Sequence, residues 1–124
     1  MKPRVRLFNY EVDPLTMDEA VARVLSWAAA GGDSCRYVVT PNVNHTVLLE
    51  RHAALRAAYD DAGLVLVDGM PIYLAARLFG RPVPGRVAGS DLVPRLFDEA
   101  ERTGGIRAYL LGAGPGVAAR AARY

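Results

Sequence analysis

Lysine is almost missing from this chain. Lys2 is the single one among fifteen basic residues, and the other fourteen are arginine. Cysteine is as scarce, and Cys35, standing alone, excludes an intrachain disulfide. Net charge is small too, a formal +2 that gives no case for nucleic acid as a partner. No apolar run approaches the roughly 20 residues of a membrane-spanning helix. Met1-Lys2-Pro3-Arg4 is not followed by the apolar core of a signal peptide, so a cytoplasmic location is expected. Internal repeats, low-complexity tracts and linkers are absent. His45 and His52 lie seven residues apart with no Cys or carboxylate completing a ligand set, so both are read as structural and no metal is expected. Cys35 has no histidine tied to it locally and is expected to be a small buried residue.

What remains describes one domain, residues 1–124. A content of 52% hydrophobic and 23% charged residues is ordinary for a globular chain able to bury a core. Arginine offers a planar fork for phosphate and carboxylate, although the richness in Ala, Arg and Gly equally reflects GC-rich coding.

Strand and helix patterns alternate along the chain. Val5-Arg6-Leu7-Phe8 reads as a short strand, followed by a turn around Asp13-Pro14. Thr16 with Glu19 forms a capping box before Val21, Val24, Leu25 and Ala28, the apolar face of a helix that Gly31-Gly32 ends. Residues 35–40 form a second strand, and a helix is expected from Asn44 to Ala62 with Gly63 as its stop. Leu64-Val65-Leu66-Val67 is the continuous apolar run of a parallel strand buried on both faces. Pro71 suits the first turn of a helix burying Ile72, Ala75, Ala76 and Phe79. After a loop with Pro82, Pro84 and Gly85, Ser90 or Asp91 caps a helix with Val93, Leu96, Phe97 and Ala100 inside. Residues 106–111 are the last predicted strand, and a helix begins at Val117 without closing by Tyr124. The expected fold class is α/β: a Rossmann-like parallel sheet with helices on both faces, incomplete as it stands.

Four polar or glycine-rich clusters fall at element boundaries, and ligands of open α/β sheets bind beyond the carboxyl ends of strands. Asp68 follows the buried run, where a carboxylate can take a proton from a substrate hydroxyl or cap the next helix. Gly69 beside it allows close backbone approach. Thr40-Pro41-Asn42 supplies neutral hydrogen-bonding groups suited to sugar hydroxyls, or turn chemistry with an Asn44 cap. Arg86 precedes a Gly89-Ser90-Asp91 helix start, a place for an anion or for a solvated loop arginine. Gly112-Ala113-Gly114-Pro115-Gly116 joins strand to helix, but its spacing is not the G-x-G-x-x-G of dinucleotide sites.

Taken together, Thr40-Pro-Asn42, Val67-Asp68-Gly69, Arg86-Val-Ala-Gly89-Ser-Asp91 and Leu110-Leu-Gly112-Ala-Gly-Pro-Gly116 resemble the WecG/TagA/CpsF family of bacterial glycosyltransferases over residues 5–124. The resemblance implies a hexosyltransferase moving N-acetylmannosamine or a related sugar from a UDP-sugar to a polyprenyl-diphosphate-linked acceptor, with inversion. The product would serve teichoic acid or cell-surface polysaccharide synthesis. It implies no cofactor, and a site peripheral to the inner face of the plasma membrane through the lipid acceptor. Asp68 becomes the general base and Thr40 its catalytic companion in the same pocket. Asn42, Gly69, Arg86, Gly89, Asp91, Gly112, Gly114 and Gly116 become substrate-binding, with Arg86 neutralising a diphosphate. Full-sized members extend beyond the equivalent of Tyr124, so the chain is read as the N-terminal portion of a longer architecture. Two alternatives stand beside this reading: a noncatalytic sugar-nucleotide-binding module, and a partner-docking α/β module that forms homo-oligomers through unpaired edges.

Overall fold

Leu64, Val65, Leu66 and Val67 form the axis of the fold, each no more than 2% exposed. The computed structural model describes residues 2–81 and 83–124; Met1, and Pro82 of the expected loop, lie outside the described residues. The elements in chain order are β1 (Val5–Leu7), β2 (Tyr10–Val12), α1 (Met17–Ala30), β3 (Val38–Val39), α2 (Val43–Leu49), α3 (Ala53–Asp61), β4 (Leu64–Val65), α4 (Met70–Leu78), α5 (Gly89–Arg102) and α6 (Val117–Ala121).

β3 and β4 pair in parallel, Val38 opposite Leu64 and Val39 opposite Val65. β1 and β2 form an antiparallel hairpin. The expected parallel sheet is therefore two strands wide, in a mixed α/β fold and short of a full Rossmann-like sheet. Single bonds extend it. The Leu66 N–H reaches the Val39 carbonyl at 2.9 Å on one edge, and the Val87 N–H reaches the Val67 carbonyl at 2.7 Å on the other. On that second edge Asp13 acts as a ladder partner twice over: its N–H donates to the Val65 carbonyl and its Oδ2 accepts from the Val65 N–H, both at 2.8 Å. Arg4 neutralises this buried carboxylate with Nε at 3.2 Å and ties Nη2 to the Ala62 carbonyl at 2.6 Å. Asp13 is thus more than the turn residue the sequence suggested.

Alternation along the axis splits the core in two. Leu64 and Leu66 pack with Val21 of α1, Leu92 of α5, and Val87 just ahead of α5. Val65 and Val67 face the hairpin, Leu49 of α2, Tyr59 of α3, and Ile72 and Ala76 of α4. Helices cover both faces, as the continuous apolar run requires. Each such side chain contributes about 1.5–3 kcal/mol by leaving water. Gly63 permits the packing at its start, because a Cβ there would come within 2.8 Å of the Trp27 ring.

The capping box forms as expected, with the Glu19 N–H on Thr16 Oγ1 at 3.2 Å and the Thr16 N–H on Glu19 Oε2 at 2.8 Å. Lys2, and then the Thr16 backbone, hold the Glu19 carboxyl below its usual range. Other expectations shift. Tyr10-Glu11-Val12 is a strand that the sequence reading passed over. The single helix expected over 44–62 breaks at His52, whose backbone is extended. Arg56 makes the break stable by donating to the carbonyls of Leu49 and Glu50 at 3.0 and 3.4 Å. The 35–40 strand shrinks to Val38–Val39, with the Tyr37 carbonyl just before it accepting from the Gly63 N–H at 3.0 Å, and Cys35 is exposed, not buried. On α4, Phe79 lies exposed and Ala75 half-buried. On α5 the buried face is Leu92 and Ala100, with Val93 and Phe97 turned to solvent, since packing against α1 selects that side. Residues 106–111 are not a strand: no neighbouring edge pairs with them among the described residues.

Candidate functional site

Parallel pairing makes β3 and β4 end on the same side, so Thr40 and Asp68 emerge together. Adjacent residues of a strand bond to opposite edges. Val39 and Val87 therefore flank the axis on either side, with Asp68 between them. Gly89 crosses that end: a Cβ on it would stand 3.5 Å from Thr40 Oγ1. A Cβ on Gly69 would stand 4.0 Å from Cα and Cβ of Asn42. Gly69 has φ +77, a conformation that L side chains adopt only with strain. Thr40, Asn42, Asp68, Gly69 and Gly89 are thus brought together.

The cap reading of Asp68 does not describe its contacts. Gly69 is the N-cap of α4 and makes no side-chain cap bond. Asp68 Oδ1 instead accepts the Gly69 N–H at 2.6 Å, which fixes the carboxylate beside its own strand end. Its Oδ2 has no hydrogen-bond partner among the described residues. Asn42, not Asn44, caps α2, its Oδ1 accepting the His45 N–H at 2.9 Å. That leaves the Asn42 amide NH₂ as a donor to the site.

A polar network braces this cap from below. Thr46 Oγ1 donates to the Asn42 carbonyl at 2.9 Å and meets the Tyr10 hydroxyl at 2.8 Å. His45 Nδ1 meets the Tyr59 hydroxyl at 2.6 Å. Burial, and then the nearby Tyr10, push the Tyr59 hydroxyl up to about 12; burial also raises Tyr10, against the lowering effect of its bond to Thr46. Both phenols therefore stay protonated well above neutral pH. Sequence reasoning gave His45 a structural role without its partners; the spacing from Asn42 to His45, three residues, carried the signal for a cap.

Arg86 is exposed and has no hydrogen-bond or ion-pair partner among the described residues, one residue ahead of the Val87–Val67 bond. The N-cap of α5 is Ala88, without a side-chain cap, so neither Ser90 nor Asp91 fills that place. Asp91 is an exposed first-turn residue. In the first turn of α5 the Asp91 N–H bonds the Ala88 carbonyl at 3.1 Å, and no side chain caps the N–H groups before it. The glycine-rich turn lies apart. A Cβ on Gly112, Gly114 or Gly116 would meet nothing within 4 Å, and the turn is held by its own bonds, such as the Val117 N–H to the Gly114 carbonyl at 3.2 Å. Surface depressions also lie elsewhere, one lined by Lys2, Pro3, Val5, Pro14, Val83 and Pro84. The chemistry decides in favour of the strand ends, because that groove offers one charged group and no acceptor carboxylate.

A polar cluster beyond parallel strand ends, with helices starting over it, is the ligand position of open α/β proteins. The chain belongs to the WecG/TagA/CpsF family of glycosyl transferases, whose family model matches residues 5–124. It is also similar to a Bacillus spizizenii protein named N-acetylglucosaminyldiphosphoundecaprenol N-acetyl-beta-D-mannosaminyltransferase, at 29% identity over 66 residues. That match covers 53% of this chain and 26% of the relative's length.

Proposed function

We propose that this chain carries the acceptor-activating part of an inverting hexosyltransferase site. The transferase would move N-acetylmannosamine or a related sugar from a UDP-sugar to a polyprenyl-diphosphate-linked sugar. The observation that carries the reading is the set of close approaches at the strand ends, Gly89 to Thr40 and Gly69 to Asn42, with Asp68 bonded to Gly69 through Oδ1 and its Oδ2 without a partner among the described residues. Asp68 takes the proton of the acceptor hydroxyl as its oxygen bonds to the anomeric carbon. The bond from that carbon to the UDP oxygen breaks on the opposite face, which inverts the configuration. Arg86 and the uncapped start of α5 receive the diphosphate charge. Thr40 Oγ1 and the Asn42 amide orient sugar hydroxyls. Work on a lipid-linked acceptor would keep the protein peripheral at the inner face of the membrane and tie its product to cell-surface polysaccharide or teichoic acid.

Calorimetric titration with UDP, a UDP-N-acetylhexosamine and NAD⁺ tests this reading. Saturable UDP binding, weakened about tenfold or more by Arg86→Ala, with no NAD⁺ binding, is the expected result. A folded chain that ignores UDP contradicts it. With a lipid-linked acceptor, Asp68→Asn is expected to cut turnover about 100-fold or more while UDP affinity holds. A second reading, a noncatalytic sugar-nucleotide-binding module, is favoured by the Gly112–Gly116 turn standing apart from Asp68. It expects UDP binding and no turnover for Asp68→Asn to remove.

A further inference from the structure

Asn42 is exposed at the strand ends, yet it is held by both its side chain and its backbone. Its Oδ1 accepts the His45 N–H at 2.9 Å. Its carbonyl accepts the N–H and the Oγ1 of Thr46, at 3.0 and 2.9 Å. Pro41 before it is fully buried and stiffens the approach of the chain. The amide NH₂ has no hydrogen-bond partner among the described residues, and the engaged Oδ1 sets its direction.

The two residues that hold Asn42 are themselves held. His45 Nδ1 meets the Tyr59 hydroxyl at 2.6 Å, and Thr46 Oγ1 meets the Tyr10 hydroxyl at 2.8 Å. Tyr59 comes from α3 and Tyr10 from β2, and they are 3% and 2% exposed. Their rings meet edge-on at 5.8 Å. Two separate elements thus each send a buried phenol to one of the two residues that fix a single exposed amide.

Helix stability is a poor reason for such a device. α2 has seven residues, well below the roughly 12 at which a lone helix holds. Phenylalanine in either tyrosine's place would fill the same core without a buried hydroxyl to satisfy. Half-buried Tyr37 shows the simpler solution, its hydroxyl donating to the Ala58 carbonyl at 2.6 Å. What the two phenols do fix is the position of Asn42 beside Gly69, where a Cβ would stand 4.0 Å from Cα and Cβ of Asn42. Gly69 in turn donates its N–H to Asp68 Oδ1.

We propose that Tyr59 through His45, and Tyr10 through Thr46, are positioning residues that hold the Asn42 amide at the strand ends, aimed to donate to a sugar hydroxyl. That a sugar meets Asn42 rests on the proposed function; that the two tyrosines fix Asn42 does not.

NMR of the ligand-free full chain tests the brace. Tyr59→Phe and Tyr10→Phe keep each ring and remove only the hydroxyl. Tyr59→Phe should speed hydrogen exchange of the His45 N–H roughly fivefold, and Tyr10→Phe that of the Thr46 N–H. Tyr37→Phe, which loses a bond of the same kind with no route to Asn42, should leave both at the parent rate. Parent rates in all three variants, or equal acceleration in all three, would overturn the proposal.

Calorimetry with UDP and UDP-N-acetylmannosamine tests the aim. The extra affinity contributed by the sugar should fall about fivefold in Tyr59→Phe, with UDP affinity unchanged. In an Asn42→Ala background the same change should have no further effect. Equal parent affinity for the two ligands, equal losses for both, or a loss that persists without the Asn42 side chain would overturn the positioning role. A parent chain that binds no UDP, with the His45 N–H still responding to Tyr59→Phe, would contradict the proposed function and support the brace.

Discussion

Two apolar runs in this chain meet opposite fates. Leu64–Val67 is enclosed on both sides, while in the 106–111 run Tyr109 is 87% and Leu111 90% exposed. Their compositions alone predict a strand for each. The difference is neighbours: the first has Val39 on one edge, Asp13 and Val87 on the other, and helices over both faces. The second has no paired edge among the described residues. A strand is a relation between segments, and an apolar run supplies only half of it. The same contrast separates the two glycine-bearing clusters. A Cβ on Gly69 or Gly89 would meet Asn42 or Thr40, whereas one on Gly112, Gly114 or Gly116 would meet nothing within 4 Å.

The contrast is sharpest in the core itself. Leu66→Ala should cost about 3 kcal/mol in urea unfolding, by lost burial and a cavity, while Leu111→Ala should stay within about 0.5 kcal/mol. Equal costs would mean that 106–111 is packed as firmly as the axis. Asp13→Ala should cost about 2 kcal/mol, because the buried Val65 N–H loses its acceptor and Arg4 its counter-ion; Asp33→Ala, on the exposed loop before β3, gives the control. Thr16→Ala, which uncaps the helix covering Leu64 and Leu66, should cost about 1 kcal/mol.

The smallest effect is one of pH. Tyr59 packs against the axis and its hydroxyl is raised to about 12 from an ordinary 10.0. The folded chain then holds its proton where the unfolded chain has lost it, so stability is flat below pH 10 and declines from about 10 to 12. Tyr59→Phe should flatten part of that decline in alkaline denaturation, and Tyr109→Phe should leave it unchanged.

Much of this was legible beforehand. Thr16 with Glu19, the Gly31 stop and Pro71 are local signals, and each was read correctly because its physics is local. The buried run was legible as well, since a short, β-branched run apolar at every position fits a strand covered on both faces. What escaped depends on distant partners. Arg56 stabilises a helix break that no Gly or Pro announces, and Asp13 completes a ladder with a residue 52 positions away. Which face of α5 is buried is set by α1, so Val93 and Phe97 looked as good as Leu92. At the site, Asp68, Thr40 and Asn42 were legible as strand-end residues and Gly89 as part of a helix start, but the choice between cap and free carboxylate needed the Gly69 contact.

Amide-resolved NMR titration of the chain with UDP tests the strand-end site most directly. The expected result is saturable shifts centred on Thr40, Asn42, Gly69 and Gly89, with the Arg86→Ala chain needing more UDP to reach them. Shifts confined to Gly112–Gly116, or none in a folded chain, would contradict it.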